Sequence, residues 1–402
     1  MSLPLASTDL ATLKSELRER AAELGFTSFG VAPAVIAPGF DRFERWLDAG
    51  FAGEMEYLPR RREAYRHPDS VLAGARSVVM LGLPYRDAEG AADPARPGEG
   101  RIASYAWGTG DYHDLIRERL DELGKTLADR APGASVRGVV DTAPLLERDF
   151  ARLAGLGWQA KNTLLIDKRQ GSYLFLAALL TDLELPPDEP HVAQHCGTCT
   201  ACLDACPTGA FPEPRVLDAT KCISYLTIEL KGPIPETHRT AIGEWIFGCD
   251  VCQEVCPWNR KAPPSEEADF QRQAERERVD LVELLSLDEA AFRQRFRGTP
   301  MKRAKRRGLL RNAAIALGNN PRPDGAGALI RSLDDVEPLI REAAAWALRF
   351  YAGEETVATL GRRLGEERED WVAMTIRNSL AIVEGAGPMI SAPSGDSRPP
   401  LA

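Results

Sequence analysis

The sequence is short of several things, and each shortage excludes something. No apolar run among its 402 residues approaches the roughly 18 that a membrane-spanning helix requires. No signal peptide or twin-arginine leader opens the chain, which predicts a cytoplasmic protein. The N-terminal part shows neither a Rossmann glycine fingerprint nor a P-loop, which argues against nicotinamide or ATP as the cofactor. Basic residues are in deficit, 50 Lys and Arg against 59 Asp and Glu for a net charge of -9, so the chain is no globally basic nucleic-acid binder. Cysteine is missing everywhere outside residues 196–256.

Inside that window lie all eight cysteines, in two runs with one grammar. HCGTCTACLDACPTGAF places Cys196, Cys199, Cys202 and Cys206 at C-x2-C-x2-C-x3-C before Pro207. GCDVCQEVCPWN places Cys249, Cys252 and Cys256 at C-x2-C-x3-C before Pro257, and Cys222 supplies the cysteine this run lacks. The spacing is that of a bacterial two-cluster ferredoxin, where three close cysteines grip one 4Fe-4S cube and the fourth reaches across to the other. It assigns Cys196, Cys199, Cys202 and Cys256 to one cluster and Cys206, Cys222, Cys249 and Cys252 to the second. Paired zinc sites would leave a longer gap between C-x2-C units, and a disulfide framework belongs to small secreted domains. Residues 220–245, mostly helical, form an insert that carries Cys222.

Ahead of the cysteines, apolar strands alternate with helices. A capped helix with Leu10, Leu13, Leu17, Ala21 and Leu24 at helical spacing is followed by SFGVAPA (strand), FDRFERWLDAG (helix) and SVVMLGLPY (strand, 77–85). DYHDLIRERLDELGKTLADR (helix), SVRGVV (strand, 135–140) and TAPLLERDFARLAGLG (helix) continue the pattern. This predicts a layered α/β domain over residues 1–185. NTLLIDKRQGSYLFLAALLT reads as a hairpin turning at 168–171, which makes the sheet mixed rather than purely parallel. Pro186, Pro187 and Pro190 lead into a ferredoxin-like module over 190–262, and a charged helical connector spans 263–300. A repeat follows over 301–385: Leu317 recurs as Leu348 and Leu380, and Leu329 and Leu333 return as Leu360 and Leu364. A period just above 30 with paired helices predicts a short HEAT-like α-solenoid. The small, proline-rich stretch 386–402 is expected to be disordered.

Asp141 stands where a strand ends, the edge at which open α/β domains place their chemistry; a helix-capping aspartate uses the same place. GLGWQAKNTLLI groups Trp158, Lys161 and Asn162 on a loop suited to a tight turn or to an anionic or amide-rich ligand. Tyr105, Trp107, Tyr112 and His113 share another loop, with His113 read as structural. From Arg293 to Arg311 there are nine Lys or Arg and no acid, with Phe296 interleaved. Such a stripe is either a solvated helix face or a grip on a sugar-phosphate backbone; we favour the second and take Lys302, Arg303, Lys305, Arg306, Arg307 and Arg311 as its contacts.

Taken together, MEYL, GARSVVMLGLPY, YAWGTGDYH, VDTAPLLERDFARLAGLGWQAKNTLLI, the two cysteine runs with KCISYLTIE between them, and TPMKRAKRRGLLRNAAIALGN resemble the epoxyqueuosine reductases over about residues 10–385. The resemblance implies a cobalamin-dependent, iron-sulfur enzyme of the last step of queuosine synthesis, reducing epoxyqueuosine to queuosine at the tRNA wobble position. Two 4Fe-4S clusters would feed cob(I)alamin in the α/β domain while the helical repeat holds tRNA. It further implies Asp141 as proton donor in a partly desolvated pocket, and a corrin lined by Ser104, Asp141, Lys161, Asn162, Thr163 and Ser224. Where the family often has an arginine three residues before Pro68, Tyr65 stands here, and Arg62 or Arg66 is expected to take that role. A monomer served by a low-potential electron donor completes the expectation. The rival readings are a reductive dehalogenase-like cobalamin enzyme, a ferredoxin-type electron carrier and a cobalamin-trafficking protein; the added basic solenoid, the α/β domain and the clusters speak against them in turn.

Overall fold

The computed structural model describes residues 7–88 and 95–385. Among these, nine strands form three sheets: β1 (Ser28–Pro33), β2 (Ser77–Pro84), β3 (Glu99–Ile102), β4 (Val136–Val139), β5 (Trp158–Gln159), β6 (Leu165–Ile166), β7 (Leu174–Thr181), β8 (Trp245–Phe247) and β9 (Arg278–Asp280). Every residue of β2 is buried, and alternate residues serve opposite layers, as the two-residue period of a strand requires. Val79, Leu81 and Leu83 pack with Leu13 and Leu17 of the helix Ser7–Glu23 and with Ile116 and Leu120 of the helix Tyr112–Arg130. Val78 and Met80 pack on the other face with Phe40 and Phe150. Helices therefore cover both faces of this sheet.

The direction of the strands does not follow expectation. The main sheet has the order β1-β2-β7-β4 with every pairing antiparallel. The connection from β1 to β2 is a zigzag of short helices, Phe40–Asp48, Tyr57–Arg60 and two further turns, not one crossover helix, so the chain re-enters the sheet where it left. The mixed sheet is a different one, β8-β3-β9, in which β3 runs parallel to β8 and antiparallel to β9. The turn at 168–171 forms, with Asp167 and Gly171 exchanging two backbone hydrogen bonds of 2.9 Å, but β6 then pairs with β5 instead of β7. Gly171 sits at φ 71, and Asn259 from the cysteine module lies against it, its Oδ1 accepting from the Ser172 amide at 2.7 Å. That contact seats the cysteine module on the α/β layers.

In the insert, Cys222 precedes the helix Ile223–Ile228, and the helix Glu236–Ile242 follows. Five helices build the repeat: Lys305–Asn319, Gly325–Ser332, Pro338–Leu348, Glu354–Glu366 and Asp370–Gly385. Leu317, Leu329, Leu333, Leu348 and Leu360 are all buried in its core, with Leu364 and Leu380 packed against them. This core runs without a break into Ile223 of the insert, Phe247 of β8, Ile102 of β3 and Trp107. A buried pair, Arg239 to Glu342 at 2.8 Å, ties the insert to the repeat. The stretch 386–402 lies outside the described residues. Among the described residues no helix is long and apolar enough to cross a membrane.

Candidate active site

Asp141 follows the end of β4 and turns at φ 56, in the left-handed region that disfavours a side chain. Its backbone N–H donates to Glu147 Oε1 at 2.9 Å, which pins the turn. The helix expected to begin at the aspartate begins only at Glu147, with Leu146 as its N-cap and no side-chain cap. The capping reading of Asp141 is therefore wrong: Pro144 and the turn separate it from the helix.

The carboxylate of Asp141 accepts from the Tyr112 hydroxyl at 3.0 Å and lies 3.6 Å from His113 Nε2. His113 Nδ1 is 2.7 Å from Asp111, which caps the same helix. Burial disfavours the His113 imidazolium, but the carboxylates of Asp111 and Asp141 outweigh it and push its pKa up to about 9. The side chain of Asp141 is 63% exposed; the desolvated carboxyl at this site belongs to Glu147, raised to about 8 by burial and then by Asp141. The Tyr112 hydroxyl is raised by burial and by Asp141.

Tyr112, Val140, Asp141, Arg148, Leu174 and Phe175 line one cavity, an apolar floor with a polar rim. The charge of Asp141 reaches Tyr57, whose hydroxyl is pushed up to about 12 by burial, then by Glu229 and Asp141. Arg303, over the Tyr57 ring at 5.8 Å, lies within the same field. Arg61, Arg62 and Arg66 precede Pro68. Arg62 pairs with Asp48, and Arg66 lies over Phe40, whereas Arg61 reaches the carbonyl of Thr142 at 3.4 Å, beside Asp141. Tyr65 is buried against Phe43.

The expected corrin residues divide. Thr163, at φ 69, accepts from Arg148, which lines the Asp141 cavity. The Ser104 amide donates to the buried Asp250 at 2.6 Å. Lys161 donates to the carbonyls of Gly197 and Cys199, both at 2.8 Å, and the buried Asn162 donates to Cys252 O at 3.2 Å. These two brace the cysteine loops. Ser224 lies by the Cys222 thiol, which its backbone N–H helps to hold. The apolar floor and polar rim beside Asp141 fit a flat macrocycle edged with amides.

All eight cysteines are free. Burial, then the thiols of Cys256, Cys196 and Cys199, push Cys202 up to about 11. Cys256 is raised by burial and by Cys196 and Cys199. Cys252 is raised by burial and then by Cys222, Cys249 by burial and then by Cys252 and Cys222, and Cys222 by burial and by Cys206. The thiol charges thus link Cys202 with Cys196, Cys199 and Cys256, and Cys222 with Cys206, Cys249 and Cys252, while Cys202 also acts on Cys252. Four thiolates per site suit an iron-sulfur cube. A buried indole N–H without a partner, that of Trp158, packs against Cys256 and Cys196.

The cationic run is acid-free only along the chain. Arg293 pairs with Glu289, Arg295 with Glu283, Arg303 with Glu229 through two bonds of 2.9 and 3.0 Å, and Arg306 with Asp335. Arg311 is 1% exposed and donates to the carbonyls of Leu226, Leu230 and Gly232. It is no nucleic-acid contact but the tie between repeat and insert. Phe296 is buried against Phe292, so it offers no stacking face. Lys302 and Lys305 are exposed, and Arg303, Lys305 and Arg307 line a groove shared with Tyr57, Arg60 and Lys231.

Comparison with known proteins agrees with this layout. A family model described as a 4Fe-4S double cluster binding domain matches residues 195–259, one described as Epoxyqueuosine reductase QueG, DUF1730 matches 66–142, and one for HEAT repeats matches 302–381. The chain is 40% identical to the epoxyqueuosine reductase of Pseudomonas aeruginosa over 348 residues, covering 86% of this chain and 96% of that protein. It is 38% identical to that of Escherichia coli over 350 residues, covering 87% and 91%. A crystal structure of epoxyqueuosine reductase with an epoxyqueuosine-modified tRNA-Tyr stem loop superposes with a TM-score of 0.87 at 31% identity, covering 93% of this chain and 100% of that one. The Bacillus subtilis enzyme, seen with its catalytic aspartate loop swung out of the active site, superposes with a TM-score of 0.84 at 30% identity, covering 93% and 99%. The chain belongs to the epoxyqueuosine reductase family.

Proposed function

We propose that this chain reduces epoxyqueuosine to queuosine at the wobble position of tRNA, with Asp141 as the proton donor. The observation that carries the reading is the Asp141 carboxylate, held at the mouth of an apolar cavity by Tyr112 and His113. The reaction consumes two electrons and two protons and releases the epoxide oxygen as water. Cys196, Cys199, Cys202 and Cys256 would hold one 4Fe-4S cluster, and Cys206, Cys222, Cys249 and Cys252 the other, as electron relays. Cobalamin, when bound beside Asp141, supplies the strongly reducing metal centre for the carbon–oxygen chemistry. Ser104, Thr163 and Ser224 would meet the corrin, while Lys161 and Asn162 hold the cysteine loops behind it.

Asp141 holds the proton given to the leaving oxygen. The Tyr112 hydroxyl and His113, charged at neutral pH, hold the carboxylate in place. Glu147 keeps the loop in its strained turn. Lys302, Arg303, Lys305 and Arg307 would meet tRNA phosphates. The relative crystallised with a modified tRNA stem loop supports that partner. We further read the chain as a cytoplasmic monomer fed by a low-potential one-electron donor, divided at 1–185, 190–262, 263–300 and 301–385. Single-turnover conversion of epoxyqueuosine-containing RNA by reduced, cobalamin-loaded protein tests the proposal; no queuosine from fully loaded protein would refute it.

A further inference from the structure

We propose that Trp158 donates its indole N–H to a cysteine sulfur of the cluster held by Cys196, Cys199, Cys202 and Cys256, and so raises that cluster's reduction potential. The inference rests on the two-cluster reading above. Trp158 is fully buried, and its Nε1 has no hydrogen-bond partner among the described residues. Native proteins seldom keep a buried donor unpaired, so the unpaired atom points to a missing acceptor. The core in which the indole sits consists of Ala160, Ile166 and Cys256, with Cys196 and Trp258 packed against it. Two aromatic neighbours meet it edge-on, His195 at 4.7 Å and Trp258 at 4.9 Å. His195 immediately precedes Cys196, and Trp258 follows Cys256 by two residues. Both line the cavity bounded by Cys196, Cys199, Cys202 and Cys256, together with Ala160 and Ile166.

Among the side chains of that core the acceptors are the sulfurs of Cys256 and Cys196, which as thiolates accept far better than as thiols. A hydrogen bond to a ligand sulfur favours the reduced cluster, which carries one more negative charge, and so moves its potential upward. His191, stacked on the indole at 5.7 Å, has its own buried Nε2 without a partner. A trapped water serving both rings is the competing account.

Anaerobic wild-type protein and Trp158→Phe are titrated with dithionite and mediators and followed by electron paramagnetic resonance. The expected result is a roughly tenfold loss in the equilibrium for reducing one cluster, about 59 mV for one electron, with the other cluster unmoved. The cluster that shifts must be the one whose signal Cys199→Ser alters. No shift in a variant with both clusters present, or a shift in the other cluster, overturns the inference in favour of the trapped water. Should Trp158→Phe fail to load, pulsed resonance on Trp258→Phe carrying nitrogen-15 indoles decides instead. A nitrogen coupling to the reduced cluster supports the bond, and its absence overturns it. Wild-type protein holding zinc in place of iron would instead sink the two-cluster reading.

Discussion

His113 Nε2 stands 3.6 Å from the Asp141 carboxylate while Nδ1 of the same ring is 2.7 Å from Asp111. The imidazole is thus held between two acids, one fixed at a helix N-cap and one on the exposed loop. A charged ring in that place orients the Asp141 carboxylate against the N-terminus of the helix. Arg61, reaching the Thr142 carbonyl, ties the next residue of the loop to the opposite wall.

Asp141→Asn removes the transferable proton and keeps the shape. Asp141 caps no helix, so the substitution should lower the melting temperature only slightly, through the loss of one of the two carboxylates that raise His113. The loss should fall on turnover, by a factor on the order of a hundred to ten thousand for a general acid. Single-turnover conversion of modified RNA, with iron and cobalamin measured in the same sample, checks this. Turnover near wild type in loaded protein would remove Asp141 from the chemistry.

His113 sets a pH dependence. Its folded pKa of about 9 lies above the ordinary value of 6.5, so its stabilising charge is complete below about 6.5 and is lost as pH rises through about 9. Both stability and steady-state turnover should therefore decline on the alkaline side across that window. His113→Gln should flatten the alkaline limb while slowing turnover at neutral pH. A limb that persists in the variant would assign the titration to another group.

Much of this was legible along the chain and some of it could not be. The cysteine grammar and the leucine period survive because ligand sets and stacked helices are written at fixed spacings. Arg311 was misread because a charge run reports only its neighbours in sequence. Its partners are backbone carbonyls of the insert, some 80 residues away, and the acids facing Arg303 and Arg306 come from Glu229 and Asp335. His113 reads as structural along the chain since Asp141 meets it only after the helix and β4 are placed side by side, although Asp111 stands two residues away. The antiparallel sheet hid behind an alternation of strands and helices that sets layers but not strand directions.

Metal content follows from the two fours of thiols. Anaerobic protein should carry about eight irons and as many acid-labile sulfides. Cys206→Ala should damage the cluster shared with Cys222, Cys249 and Cys252 and spare the other, although Cys206 lies in the first run. Iron analysis with paramagnetic resonance reads this directly. Loss of the Cys196 cluster alone would refute the crossed grouping.

The cationic run should separate into two kinds of residue. Lys302, Lys305 and Arg307 carry charge that the fold leaves to solvent or to the groove beside Tyr57. Replacing all three with alanine should weaken tRNA binding and reduce its log–log dependence on salt by about 2, since each phosphate contact contributes roughly 0.7–0.9. Arg311 behaves differently. Its guanidinium is buried, its pKa drawn down to about 10 by desolvation, and it satisfies three carbonyls of the insert along with Asn312. Arg311→Ala would leave those acceptors buried and unmet at about 1–3 kcal/mol each, less whatever water restores. Thermal unfolding should therefore drop by many degrees while the salt slope of the remaining folded protein stays at the wild-type value. If instead Arg311→Ala flattened the slope without lowering the melting temperature, the residue would belong to the tRNA face after all, and the Arg239–Glu342 pair would remain as the anchor of the insert to the repeat.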